Sequence, residues 1–303
     1  MIYVADENDE GKRLDLRLSE VLSSVSRSKI QAAVKAGKIT VNNLGKKSSY
    51  LLKEDDEVFV EEVLFAPVKI EPENIALEIV YEDENMIVVN KPSGMLTHPT
   101  NQETSGTLVN ALLFKYENNL SDISGEFRRG IVHRLDRNTS GLLMIAKNNK
   151  THEFLSAQIK ARNIEKKYRA IVKGVWDKDE EVIDLPIGRN PKQPHKMAVI
   201  PEGKDSTTIV KVIRRFKEVT VLELTLITGR THQIRVHTSF KGHPVYNDTL
   251  YGAGRGKVNT EEQVLQSFFL RFTKPFADEI ISLEIPPDEK YIKVLNYFEG
   301  KEK

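Results

Sequence analysis

Apolar residues recur along this chain with two periods, one near 3.6 and one of 2, and the alternation between them outlines its elements. Ile30, Ala33 and Val34 stand three and four apart and predict a helix from Ser26, the expected N-cap, to Ala36, with Gly37 ending it. A short strand is expected at Ile39–Val41. Residues 79–81 and 86–89, separated by the polar run Glu82-Asp83-Glu84-Asn85, predict a hairpin. Leu108, Ala111, Leu112 and Lys115 give residues 106–116 helical spacing. Residues 142–146 are uninterruptedly apolar, short and bounded by turn and polar residues, as a buried strand is. Phe154, Leu155, Gln158 and Ile159 share one side of a helix over 150–162. Tyr168, Ala170 and Val172 alternate with Arg169, Ile171 and Lys173, which is strand periodicity. Another strand is expected at 219–227, then a helix over 231–241 stopped by Gly242 and Pro244. Strands and helices mixed without strict βα alternation predict an α+β fold.

At 303 residues the chain has room for two domains. Pro67 and Pro72 bracket a charged stretch without clear period, so 62–78 reads as a linker between a small domain over 1–61 and a larger one over 79–303. No internal repeat and no low-complexity tract is visible.

Composition narrows the function classes. No apolar run approaches 18 residues, which argues against a transmembrane span, and MIYVADENDEGKR lacks the basic leader and apolar core of a secretory signal. Zero cysteines exclude disulfides and thiolate metal sites, in keeping with a cytoplasmic protein. The net charge of +1 looks unsuited to a polyanionic partner until its distribution is considered. Residues 11–53 hold ten Lys/Arg against only Asp15 and Glu20, a local excess of +8, while acids gather on either side. The local field is what meets phosphate. Residues 160–169 add five cations against Glu165.

One segment concentrates chemistry. In HRLDRNTSGLLMIAK, residues 133–147, Asp136 lies between Arg134 and Arg137 in a loop before the 142–146 strand. Opposite charge favours an ionised carboxylate, and an ionised carboxylate at the mouth of a buried strand is a candidate nucleophile. A surface salt bridge is the plainer reading of the same residues.

The segment resembles the central motif of the RluA-type pseudouridine synthases, which isomerise uridine in RNA. Lys91-Pro92-Ser93-Gly94 with Thr97-His98-Pro99 is similar to the family's first motif. Lys167-Tyr168-Arg169-Ala170 is similar to the next, and Gly229-Arg230-Thr231-His232-Gln233-Ile234-Arg235-Val236-His237 to the third. Arg13-Leu14-Asp15, Ser26-Arg27-Ser28, residues 37–42 and residues 55–60 resemble the S4 RNA-binding domain. That pairing, with residues 187–189 and 195–199, is most similar to the branch acting on large-subunit ribosomal RNA.

The resemblance implies a central mixed sheet with an active-site cleft on one face. It implies Asp136 as nucleophile, at C1′ or C6 of the nucleoside, and Arg230 as its ion-pair partner. Arg235 then reads as an arginine on backbone or phosphate. Tyr168 either stacks on the uracil or helps remove the C5 proton. The target nucleotide must leave its stack to reach the pocket, and Arg134 is placed to fill the vacated site. Arg134 and Arg137 are expected to contact RNA, as are Arg13, Arg27, Lys29 and Lys38 in the small domain. Isomerisation needs neither a redox cofactor nor a metal. His133, His232, His237 and His243 lack metal-ligand spacing and read as hydrogen-bonding residues, His133 as a prop for the Asp136 loop. Gly252, Gly254 and Gly256 follow no βα unit and read as a loop, and Trp176 as a packing residue. The implied partner is structured RNA, foremost 23S ribosomal RNA, with transfer RNA as the alternative substrate and a monomer as the default state. A non-catalytic RNA-binding factor is the competing class.

Overall fold

The computed structural model describes all residues except 23, 24, 26, 62–69, 101, 118, 253, 302 and 303. The chain divides into two compact units, residues 1–69 and 70–303. Ser26, expected to cap a helix, lies outside the described residues, as does much of the expected linker.

In the first unit β1 (Ile2–Val4), β2 (Ile39–Val41) and β3 (Glu57–Val60) form an antiparallel sheet with β3 in the middle. Helices α1 (Leu14–Val21) and α2 (Arg27–Lys35) pack on it through Leu14, Leu18, Ile30, Ala33 and Val34. The 3–4 spacing of the last three puts them on the buried side of α2. Asp15 is fully buried beneath this unit's cations. It accepts from Arg13 Nε at 3.0 Å, Arg27 Nη2 at 3.0 Å and Gln31 Nε2 at 2.6 Å. The Arg13 bond, with those from Gln31 and Arg27, outweighs burial and holds its carboxyl far below the usual range. Lys38 stays exposed, 3.8 Å from Glu61 Oε2, and Lys29 is half-buried.

The second unit is built on one mixed sheet, nine-stranded among the described residues. Its strands are β4 (Glu78–Glu82), β5 (Met86–Lys91), β6 (Ser140–Ala146), β7 (Glu165–Lys173), β8 (Glu180–Asp184), β11 (Thr207–Arg215), β12 (Val219–Leu226), β13 (Leu265–Thr273) and β14 (Ile280–Glu284). They run β4-β5-β6-β13-β7-β12-β11-β8, with β14 also on β13. β6 and β13 are parallel and the other pairs antiparallel. Between β8 and β11 lies a hairpin of β9 (Ile187–Arg189) and β10 (Met197–Val199).

β6 is buried throughout, and apolar from Leu142 to Ala146, because both its faces are covered. Leu143 and Ile145 join one core layer with α3 (Leu108–Tyr116), while Leu142, Met144 and Ala146 join the opposite layer with α4 (Asn149–Lys160). Each such side chain contributes about 1.5–3 kcal/mol on burial. Helix α6 (Glu289–Gly300) closes a third cluster with Tyr291, Val294 and Phe298. The prediction of a linker reaching residue 78 needs correction. Ile70 is buried in the large core, and Glu73 accepts from Gly106 N at 3.0 Å, so the chain after 69 packs on the second unit.

β6 and β13 touch over only two residue pairs, Ser140 with Gln266 and Gly141 with Ser267. Gly141 has φ +118, and a Cβ there would lie 2.0 Å from Ser267 O. Only glycine lets the strands meet at this point. The loop that precedes β6 opens into a cavity here.

Candidate active site

Residues 134–139 are held from several sides. Leu135 is buried in the core, which leaves Arg134 exposed and Asp136 partly exposed. Thr97 Oγ1 donates to Leu135 O at 2.9 Å and accepts from Leu135 N at 3.3 Å. Lys91, with no exposed surface, donates to Pro92 O, Met95 O and Arg137 O at 2.8, 2.8 and 3.0 Å. Ser93 Oγ and Lys290 Nζ both donate to Asn138 O. The segment from Lys91 to Thr97 is thus the cradle of the Asp136 loop. His133 props the loop from behind, its Nε2 accepting from Met144 N at 3.0 Å. Burial, and the nearby charge of Lys166, push this imidazole down to about 3, so it accepts as the neutral ring.

The facing wall comes from the turn after β12 and from α5 (Gln233–Phe240). Gln233 organises the turn. Its Oε1 accepts from Thr228 Oγ1 and Arg230 N, each at 2.9 Å, while its Nε2 donates to Thr207 O and Thr208 Oγ1. His232 takes the left-handed conformation at the helix start, φ 57. One turn inside the helix, Arg235 points inward.

Here the structure corrects the expected pairing. Asp136 Oδ2 accepts from Arg235 Nη1 at 3.1 Å. Arg230 is exposed, and its Nε donates to Asp205 O at 3.0 Å. The roles expected of the two arginines are exchanged: Arg230 is the one on backbone. Arg235 also gives Nε to Asp248 Oδ2 at 2.7 Å and Nη2 to Asp248 Oδ1 at 3.0 Å. Side-chain exposure is 0% for Asp248, 8% for Arg235 and 17% for Asp136. The chain of charges therefore opens to the cavity at the Asp136 end. Arg137 is turned elsewhere, bound by both Nη atoms to Glu103.

His232 lies beside the pair, Nε2 3.9 Å from Asp136 Oδ1. Its Nδ1 is 2.7 Å from Tyr251 Oη, which accepts from Met197 N at 3.0 Å. In the tautomer in which the tyrosine donates to Nδ1, Nε2–H faces Asp136. Burial lowers the His232 pKa, more than the opposing effect of Asp136 raises it. Tyr168, buried on β7, borders the same cavity of about 480 Å³ as Asp136, Arg134, Lys166 and Arg230. Burial, with a smaller push from the Asp136 charge, drives its phenol up to about 12.

The other singled-out residues are structural. His237 bonds Thr208 Oγ1 and Leu185 O, His243 bonds Lys173 O, and Trp176 is buried against the His243 ring at 5.0 Å. Periodicity and composition do not mark Asp248, His232 and Tyr251 as site residues. A usable signal was Arg235 itself, a lone cation among Ile234, Val236 and His237, which burial obliges to find a carboxylate.

The sequence matches the RNA pseudouridylate synthase family over residues 85–240 and the S4 domain over 12–58. It is 41% identical to an uncharacterized RNA pseudouridine synthase of Aquifex aeolicus, covering 96% of this chain and 95% of that one. It is 36% identical to the ribosomal large subunit pseudouridine synthase D of Zymomonas mobilis, over 92% of each chain. Among solved structures, human RNA pseudouridylate synthase domain containing 1 superposes with a TM-score of 0.58 at 28% identity, over 71% of this chain and 84% of the other. This chain belongs to the RNA pseudouridine synthase family, joining the catalytic domain of those isomerases to an N-terminal S4 domain.

Proposed function

We propose that the enzyme isomerises uridines of 23S ribosomal RNA, with Asp136 as the nucleophile. The observation that carries the reading is the Asp136–Arg235 pair, whose only substantially open member is the carboxylate, facing a cavity. The buried guanidinium grips Asp248 by its fork and holds one Asp136 oxygen through Nη1, leaving the other for the nucleoside. Attack at C1′ and attack at C6 both remain compatible with that geometry. The N1–C1′ bond breaks, a C5–C1′ bond forms, one proton leaves C5 and one joins N1. No electrons are gained or lost, so the chemistry calls for no redox carrier and no metal.

Tyr168 presents its ring to the cavity with its phenol held protonated, which favours stacking on the uracil over action as a phenolate. Exposed Arg134 is suited to occupy the stack left by the flipped nucleotide. Arg137 meets RNA only by releasing Glu103. In the S4 unit the Asp15 carboxylate holds Arg13 and Arg27 with their outer faces half-exposed, a cationic surface for phosphate that Lys29 and Lys38 extend. The relatives named for the large ribosomal subunit support ribosomal over transfer RNA. A cytoplasmic monomer acting on that RNA completes the reading.

The test is release of tritium from C5-labelled uridine in 23S and transfer RNA transcripts. Release from 23S RNA by the wild-type enzyme, and none by Asp136→Asn with its RNA affinity intact, is expected. Release from transfer RNA alone would move the substrate, and release from neither would leave an RNA-binding factor.

A further inference from the structure

Lys166 is a buried lysine, 9% exposed, that borders the Asp136 cavity and has no hydrogen bond or ion pair among the described residues. It stands two residues before Tyr168 on β7, so both side chains leave the same face of the strand. Its ammonium reaches the turn after β12, where a Cβ on Gly229 would lie 3.7 Å from Nζ. Buried charges are normally paired, and this one is not. The two arginines of the facing wall are committed elsewhere. Arg235 is shared by two carboxylates, and Arg230 is exposed and bound to backbone.

The reaction supplies a partner of opposite charge. Whichever carbon Asp136 attacks, the released electron pair goes onto the base. Cleavage of N1–C1′ puts it on N1, O2 and O4, and addition at C6 puts it on C5 and O4. The charge disappears when the base π electrons form the C5–C1′ bond, C5 loses its proton and N1 gains one. Resting on the isomerase reading above, we propose that Lys166 is a further catalytic residue, whose ammonium stabilises the negative charge that develops on the uracil during its detachment and rotation. A cation already standing at the cavity wall stabilises such charge with little reorganisation as it appears. Burial disfavours the charged lysine, and an anionic base beside it favours that form.

The experiment compares wild-type enzyme, Lys166→Met and Lys166→Arg in single-turnover tritium release from 23S transcripts, together with RNA affinity and melting temperature. Lys166→Met should slow turnover by about 10²–10³-fold, as loss of one such donor does, with affinity within about threefold and melting unimpaired. Lys166→Arg should recover at least about tenfold of that loss. On RNA carrying 5-fluorouridine, whose base is the better anion, the methionine defect should narrow by at least about tenfold, read as consumption of 5-fluorouridine by mass spectrometry of nuclease digests. Unchanged turnover, a loss wholly in affinity, or an equal defect on both substrates overturns the assignment. Should the methionine variant not fold, Lys166→Gln is read by the same criteria. No release by the wild-type enzyme refutes the isomerase reading, and this assignment with it. Release by wild type with an indifferent Lys166→Met refutes this assignment alone.

Discussion

Asp248 holds Arg235 by two nitrogens, Nε at 2.7 Å and Nη2 at 3.0 Å, and so decides that Nη1 is the one left for Asp136. Asp248 in turn accepts from Leu250 N and Tyr251 N. One carboxylate is an anchor and the other faces the cavity.

That asymmetry separates two substitutions of the same kind. Asp248→Asn leaves a buried guanidinium short of its main counter-charge and should cost about 3 kcal/mol. For a unit of this size that lowers melting by roughly 2–4 °C per kcal/mol. Asp136→Asn leaves Arg235 with Asp248 and should cost under about 1 kcal/mol while abolishing tritium release. Thermal melts of the two variants that coincide would contradict the anchor role.

The exchange of arginines has its own consequence. Arg230→Ala removes an exposed side chain bonded to Asp205 O and should change turnover by less than about tenfold. Arg235→Ala strands Asp136 beside a buried Asp248, and should lose both stability, by about 3–5 kcal/mol, and activity. Turnover surviving in Arg235→Ala but not in Arg230→Ala would reverse the assignment.

Lys91 can be removed without touching the cavity. Lys91→Met leaves the carbonyls of Pro92, Met95 and Arg137 without their donor, at about 1–3 kcal/mol for each group left buried and unpaired. Turnover should fall with melting temperature, because the Arg137 carbonyl belongs to the Asp136 loop. A variant that melts lower yet turns over at the wild-type rate would uncouple the cradle from catalysis.

The Tyr168 phenol, pushed up to about 12 mainly by burial, stays protonated across the working range. Stacking therefore contributes equally from about pH 7 to about pH 10, and no alkaline rise in rate should be traceable to tyrosinate. A rate climbing about tenfold per pH unit in the wild-type enzyme but not in Tyr168→Phe would show ionisation well below that value.

Much of the fold was legible where a single element supplies its own pattern. The helix α2, the hairpin β4–β5, the strands β6, β7 and β12 and the helices α3, α4 and α5 all stand where periodicity placed them, to within a few residues. β13 and β14 and the α6 helix drew no prediction, because their burial depends on partners far along the chain, β13 on β6 and β7 and α6 on Tyr246 and Phe216.

By itself the sequence determined the α+β class and the motif order, since these rest on local periodicity and on short runs of residues, and the family resemblance of those motifs is what singled out Asp136 as a candidate. Tertiary structure alone decided that Arg235 and not Arg230 meets Asp136, that Asp248 stands behind it, and that Lys166 is a buried lysine with no partner among the described residues. The five residues from Arg230 to Arg235 at a helix start turn a side chain from solvent to interior, and only the path of the chain through space says which charge arrives opposite which.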